Sequence, residues 1–288
     1  MHKKRRTAKV TTRRFEGDIP PLRKRDLVVV EEPLTVMWQA AEGPVERLAA
    51  TMRTPGEDNE LAAGMLFSEG LLTQRDELEV LSFCSGGGPN ELNRLRAGLR
   101  IPLAEAQRRL AHRPSASLPQ SACGLCAFDE LANPKALLAW AVGLRPQGVE
   151  GVSPATSLLH LGLEHLQGSA PTFAATGASH AVVVVGGQGQ KLAAAEDVGR
   201  HNACDKALGE LLLNQRPVEG SPFRLPPECG IVFSSRLSFE LAVKATRAGA
   251  AWIASVGAPT HLALELAEAC DMPLIGFLSK ERHNRYLP

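Results

Sequence analysis

The chain has 288 residues, enough for one large domain or two modest ones, with ordinary apolar (44%) and charged (22%) shares. One Tyr, three Trp and nine Phe leave the core to aliphatic side chains. The formal net charge of +1 hides an uneven distribution, no stretch has the length of a transmembrane helix, and no apolar stretch near the N-terminus resembles a secretory signal.

Residues 1–25 hold ten Lys or Arg and only two acidic residues, Glu16 and Asp18. This basic segment reads as a solvated, disordered arm; the alternative is an electrostatic arm that recruits an anionic partner. An N-terminal α+β domain is expected over 26–112, with short strands at Leu27–Val30, Pro33–Trp38 and Arg47–Met52 and a turn at Thr54-Pro55-Gly56. A helix follows with Leu61, Met65 and Leu66 on one face, ending near Gly70, and residues 78–103 return to short β segments. Residues 113–127 read as a linker and a Cys-x-x-Cys loop, and a helix is expected from Pro134 to about Val142.

The C-terminal half, 128–288, has a different rhythm. Ala181–Val185 and Lys191–Ala195 flank a Gly-rich turn and predict a hairpin. A helix over Asn202–Leu213 follows. Strands at Gly230–Ser234, Trp252–Ser255 and Pro273–Phe277 then alternate with helices at Ser238–Ala248 and Thr260–Ala269. That alternation argues for βαβ units and a parallel sheet, in which ligands bind beyond the carboxyl ends of the strands. The segments found there are Ser234-Ser235-Arg236, Ser255–Ala258 and Leu278–Arg282, rich in hydroxyls, backbone N–H groups and cationic side chains. Two of them lead into helix N-termini, so this half is expected to hold something phosphorylated.

Six cysteines occur, and only Cys123 and Cys126 form a Cys-x-x-Cys pair, which is no disulfide framework and suits a reducing cytoplasm. At a helix start the pair can share a lowered pKa, which fits a sulfur carrier, a dithiol redox centre or half of a zinc site. No second pair supplies further zinc ligands, and the bland reading is two structural thiols. The segment Glu196-Asp197-Val198-Gly199-Arg200-His201-Asn202 puts two carboxylates, a guanidinium and an imidazole at a helix mouth. It suits anion binding or proton transfer, or else a helix with a charge-paired first turn. His180 alone is more often a hydrogen-bonded residue at the core edge than a catalyst.

These segments, with Met52–Gly56, Ser68-Glu69-Gly70, Ala258-Pro259-Thr260, Leu264–Glu268 and Ile275-Gly276-Phe277, resemble the formate dehydrogenase accessory (FdhD) family from about residue 26 onward. The resemblance implies a mixed α/β fold: a three-layer, cytidine-deaminase-like C-terminal domain, a smaller N-terminal α+β domain, and a homodimer. It implies a sulfurtransferase that takes sulfur from a cysteine desulfurase as a persulfide and passes it to the molybdenum (or tungsten) bis-pyranopterin guanine dinucleotide of formate dehydrogenase. By resemblance the persulfide falls on Cys123, with Cys126 beside it. The nucleotide site falls on Phe277, Leu278, Ser279, Lys280, Glu281 and Arg282, for which GDP is a mimic. Arg200, Ser235 and Arg236 are expected to join the cradle, with His180, Asp197 and His201 supplying polar contacts. Neither nucleic acid nor membrane is an expected partner. Ala127 stands where the family usually has Gly, and His261 where a small hydroxylated residue is usual. A zinc deaminase is a poor rival, because Ala122 rather than Pro precedes the first Cys and no His-x-Glu stands upstream. A chaperone that binds and delivers the cofactor without covalent chemistry is the alternative function.

Overall fold

The computed structural model describes residues 5–16, 19–84, 93–111, 134–214 and 221–286. The Cys123 and Cys126 loop and the linker before it lie outside these residues.

The chain opens on β1 (Thr7–Glu16) and β2 (Ile19–Val29), an antiparallel pair. There follow β3 (Glu32–Ala41), β4 (Val45–Arg53), α1 (Asp58–Ser68), β5 (Leu78–Phe83), β6 (Arg94–Pro102) and α2 (Leu103–Ala111). Strands β3 to β6 form a sheet in the order β4-β3-β6-β5, with β3 parallel to β6 and the other pairs antiparallel. Strict alternation along β3 buries Leu34, Val36, Trp38 and Ala40 on one face, as the two-residue period of a half-buried strand requires.

The second half contains α3 (Pro134–Val142), α4 (Thr156–Gly168), α5 (Pro171–Thr176), β7 (His180–Val185), β8 (Lys191–Asp197) and α6 (Arg200–Asn214). It ends with β9 (Gly230–Phe233), α7 (Phe239–Ala248), β10 (Trp252–Ser255), α8 (His261–Ala269), β11 (Leu274–Gly276) and β12 (Asn284–Tyr286). Its sheet has the order β12-β11-β10-β9-β7-β8. Only β9, β10 and β11 run parallel; β7 is antiparallel to both β9 and β8, and β12 to β11. The sheet is therefore mixed, with the expected parallel strands at its centre. Val182, Ile231, Phe233 and Ile253 face α6, α7 and α8 on one side. Val183, Val185, Val232 and Ile275 face Leu159, Leu163 and Leu166 of α4 on the other. Three layers result, and both faces of the central strands are buried, which explains their unbroken apolar runs.

The two sheets share one core, continuous from Leu34 to Leu274. Its seam is the contact of α1 with α6, where the backbones touch. A Cβ on Gly64 would lie 1.8 Å from the carbonyl oxygen of Asp205, and one on Gly209 would lie 1.9 Å from that of Glu60. Only glycine fits at either position.

The described part of the basic N-terminal segment, expected to be disordered, instead forms the paired strands β1 and β2. Lysine and arginine do not prevent a strand, and Val10, Thr11, Thr12, Val28 and Val29 supply β-branched residues on both arms. Its base is fastened by Arg6, whose carbonyl accepts from the Val30 N–H at 2.8 Å and whose guanidinium meets Glu57 at 2.6 Å. The charge excess drew the reading toward solvent and masked this pattern.

Gly64→Ala is expected to cost about 3 kcal/mol of unfolding free energy, because the clash is with backbone that cannot rotate away. Gly168→Ala, at the end of α4 with nothing near the new methyl group, is the control and should leave the denaturation midpoint almost unmoved.

Candidate functional site

Sheet topology brings the sequence-selected segments to one edge. Antiparallel pairing places the start of β7 beside the ends of β8 and β9, with His180 opposite Asp197 and Val182 opposite Phe233. The chain leaving β9, β10 and β11 emerges at the same edge. Ser235 accepts from the Gly257 N–H at 3.3 Å, Gly257 accepts from the Phe277 N–H at 3.1 Å, and Leu237 donates its N–H to Ala258 at 3.1 Å. Residues 234–236, 255–258 and 277–282 thus form one rim, together with the first turns of α6, α7 and α8.

The Glu196–Asn202 string divides between inside and outside. Glu196, 2% exposed, accepts from the N–H groups of Thr172 (2.9 Å) and Phe173 (2.6 Å) and from the Ser179 hydroxyl (2.7 Å). It caps α5, which opens on Pro171 and has no other side-chain cap. Asp197 is fully buried and its oxygens are taken by the chain itself. Lys206 Nζ, also fully buried, lies 2.7 Å away. The N–H groups of Thr54 and Gly199 donate to it at 3.0 and 2.9 Å, and Asn202 Nδ2 donates at 3.0 Å. Asp197, read from the sequence as a cofactor contact, is here a structural anchor.

That anchor grips the turn after β4. Lys206 donates to the Thr54 carbonyl at 2.9 Å, the Thr54 hydroxyl accepts from the Val198 N–H at 3.0 Å, and Asn202 donates to the Met52 carbonyl at 2.7 Å. Arg53, fully buried, forks onto Asp58 with its Nε and Nη2 at 2.7 and 3.1 Å. Gly56 holds the turn with φ +106°, a conformation that side chains resist. The two segments are thus one interlocked device. Sequence reading saw the two motifs but not that they bind each other across about 150 positions of chain.

What the string leaves accessible is Arg200, partly exposed, with His201 and His180 beside it. His201 Nε2 lies 2.7 Å from a carboxylate oxygen of Glu240 in α7, without the alignment of a hydrogen bond. Sequence reasoning did not find Glu240, which sits in a helix that carries no motif. Burial pushes the His180 imidazole below its usual range, and the positive Arg200 and His201 push the same way. One further charged pair lies beneath the rim: Lys244 of α7 holds both oxygens of Asp205 at 2.6 and 2.7 Å, and Ser68 of α1 donates to the same carboxylate at 2.6 Å.

On the outer rim, Arg236, Lys280, Glu281 and Arg282 are exposed, Ser279 is partly so, and Ser235 and Leu278 are buried. The Ser279 hydroxyl accepts from the N–H groups of Glu281 (3.2 Å) and Arg282 (3.1 Å), closing a tight turn that presents both cationic side chains. Phe277 is the unusual residue: it has φ 54° and is 43% exposed. A left-handed backbone at an aromatic residue costs about 1–3 kcal/mol and is held only where the surroundings impose it. The N-caps of α7 and α8, Ser238 and Thr260, make no side-chain capping bonds. Among the described residues their first turns therefore lack the usual side-chain cap, which leaves room for a ligand or water there.

Among the described residues no cluster of three or more His, Cys, Asp or Glu side chains is arranged to hold a metal ion, and no helix is long and apolar enough to cross a membrane. Burial raises the thiols of Cys204, to about 12, and Cys229, to about 11, and also that of Cys270.

The profile of the FdhD/NarQ family matches residues 29–288. The chain belongs to the FdhD/NarQ family. A protein named sulfur carrier protein FdhD from Anaeromyxobacter sp. (strain K) is 39% identical over 274 residues, 91% of this chain and 87% of that protein. One of the same name from Nocardia farcinica is 34% identical over 287 residues, 97% of this chain and 94% of its own. The fold also superimposes on a crystal structure from Desulfotalea psychrophila, described as that of a candidate formate dehydrogenase accessory protein. The TM-score is 0.68 at 19% identity, covering 99% of this chain and 98% of that one.

Asp197→Asn should lower stability by about 3–5 kcal/mol, because it leaves the Lys206 ammonium buried without its counter-charge; urea titration measures it. His180 should titrate below 6.5 by NMR. Its folded pKa is depressed, so the stability linked to it is present above the unfolded value and is lost as pH falls through the folded one.

Proposed function

We propose that this chain is a sulfurtransferase that accepts sulfur from a cysteine desulfurase as a persulfide on Cys123. It passes that sulfur to a molybdenum (or tungsten) bis-pyranopterin guanine dinucleotide held at the rim, for use by formate dehydrogenase. The observation that carries the reading is the rim itself: one edge of the sheet joins helix N-termini, four exposed or partly exposed cationic side chains (Arg200, Arg236, Lys280, Arg282) and the Phe277 ring. The N–H groups and guanidinium groups suit phosphates. The forced, outward-facing ring of Phe277 suits the flat face of a guanine or pterin. The name borne by relatives along nearly the whole chain supports sulfur carriage.

The thiols speak to the same point. A carrier must reach a donor as a thiolate, and burial keeps Cys204, Cys229 and Cys270 protonated at neutral pH. They serve as packing. Cys84, half-buried, stands alone in sequence, whereas the Cys123-x-x-Cys126 pair offers a carrier with a neighbouring thiol to resolve mixed disulfides. A cytoplasmic setting fits a free thiol. The α/β/α layering around β9, β10 and β11 supports kinship in fold with cytidine deaminases, while the chemistry proposed is not that of a deaminase.

Incubation with a cysteine desulfurase and cysteine should add the mass of one sulfur atom to the peptide containing Cys123, and Cys123→Ala should abolish both that gain and formate dehydrogenase activation. A chain that activates the dehydrogenase with no mass gain and no need of Cys123 would instead be a non-covalent cofactor chaperone. Arg282→Ala should weaken GDP binding by about 1.5–3 kcal/mol, read by calorimetry, if its guanidinium meets a phosphate.

A further inference from the structure

The hairpin of β1 and β2 is a ribbon of two strands, and among the described residues neither outer edge pairs with a third. A two-stranded ribbon is marginal in water by itself. This one has two added liabilities. The register sets Arg13 directly opposite Arg23, like charge against like charge. Toward its tip Phe15, Ile19 and Leu22 are 71%, 65% and 68% exposed, the three most exposed large apolar side chains among the described residues. Arg6 fastens the base to Glu57. The family profile begins at residue 29, where the ribbon ends, so the ribbon lies outside the region that defines the family.

We infer that this ribbon is a docking element for an extended, carboxylate-bearing segment of another protein, which adds to it as a further strand. The open edge selects a polypeptide. A strand edge offers alternating N–H donors and C=O acceptors, and a partner backbone pairs with both, whereas phosphates and lipid headgroups offer no matching ladder. The exposed Arg13, Arg23, Lys24 and Arg25 select carboxylates, relieve their own repulsion against them and steer the approach. The apolar tip selects alternating apolar side chains on the incoming strand.

Residues 1–29 hold ten Lys and Arg against three Asp and Glu, whereas of the whole-chain totals of 32 and 31 the remainder keeps 22 against 28, so the excess of positive charge is concentrated in the ribbon.

The test uses the full chain and a labelled peptide of about twelve residues alternating Glu and Val, enough to span one strand of the ribbon. A Lys–Val peptide, a single-stranded oligonucleotide and phosphatidylglycerol vesicles are the comparisons. The Glu–Val peptide should bind best, more weakly as salt rises, and should slow amide exchange in β1 and β2. Arg13→Glu converts the repulsive pair into an attractive one and should firm the free ribbon, yet weaken the peptide about tenfold. Arg13→Glu with Arg23→Glu restores like charge of opposite sign and should abolish binding, while Leu22→Ser should weaken it with the melting temperature unchanged. Equal peptide affinity in the wild type and both charge variants would overturn the proposal. So would tighter binding of the oligonucleotide or the vesicles, or a dimer that Arg13→Glu with Arg23→Glu takes apart, which would assign the ribbon to a second copy of the chain.

Discussion

A carboxylate and an ammonium buried together, Asp197 and Lys206 at 2.7 Å, hold the two sheets in their relative positions. Such a pair stabilises only when every remaining hydrogen-bonding position around it is filled, since desolvation of two ions otherwise outweighs their attraction. Here Asp197 also accepts from Thr54, Gly199 and Asn202, and Lys206 also donates to the Thr54 carbonyl. Those partners come from the end of β8, the start of α6 and the turn after β4. The pair therefore fixes where α6 begins, and with it the direction in which Arg200 and His201 leave the helix.

The same division recurs through the rim. Glu281 is exposed between Lys280 and Arg282, but Glu196, Asp58 and Asp205 face inward and serve the chain: Glu196 caps α5, Asp58 holds Arg53, and Asp205 holds Lys244. The cationic residues Arg236, Lys280 and Arg282 face water. An edge built in this way has a positive outward character even though the chain as a whole is close to neutral. Local arrangement, not net charge, gives the site its preference for anions.

Much of the fold was legible. The positions of β7 to β11 and of α6, α7 and α8 followed from apolar runs and turn residues, because a central strand buried on both faces and a helix packed on one face leave different periods in sequence. That β9, β10 and β11 would collect their following loops at one edge followed from the same periods. The hairpin was missed because its β-branched residues are interspersed with Lys and Arg, and its strands bury too little to show a regular alternation. The role of Asp197 was missed for another reason. A motif announces that its residues matter, but whether a carboxylate faces a ligand or a lysine nine positions later is decided by tertiary contact. The glycine seam was equally silent, since Gly64 and Gly209 carry no side chain whose pattern could be read.

Helices α1 and α6 meet backbone to backbone, with no layer of side chains between them at Gly64 and Gly209. Side chains in an ordinary helix contact can change rotamer and let the partners slide; bare backbone cannot. The approach of the two helices along this seam is therefore set by main chain, and any Cβ brought into it would meet backbone. Because α6 also begins at the rim, this main-chain contact ties the position of the receiving edge directly to α1 and the N-terminal sheet.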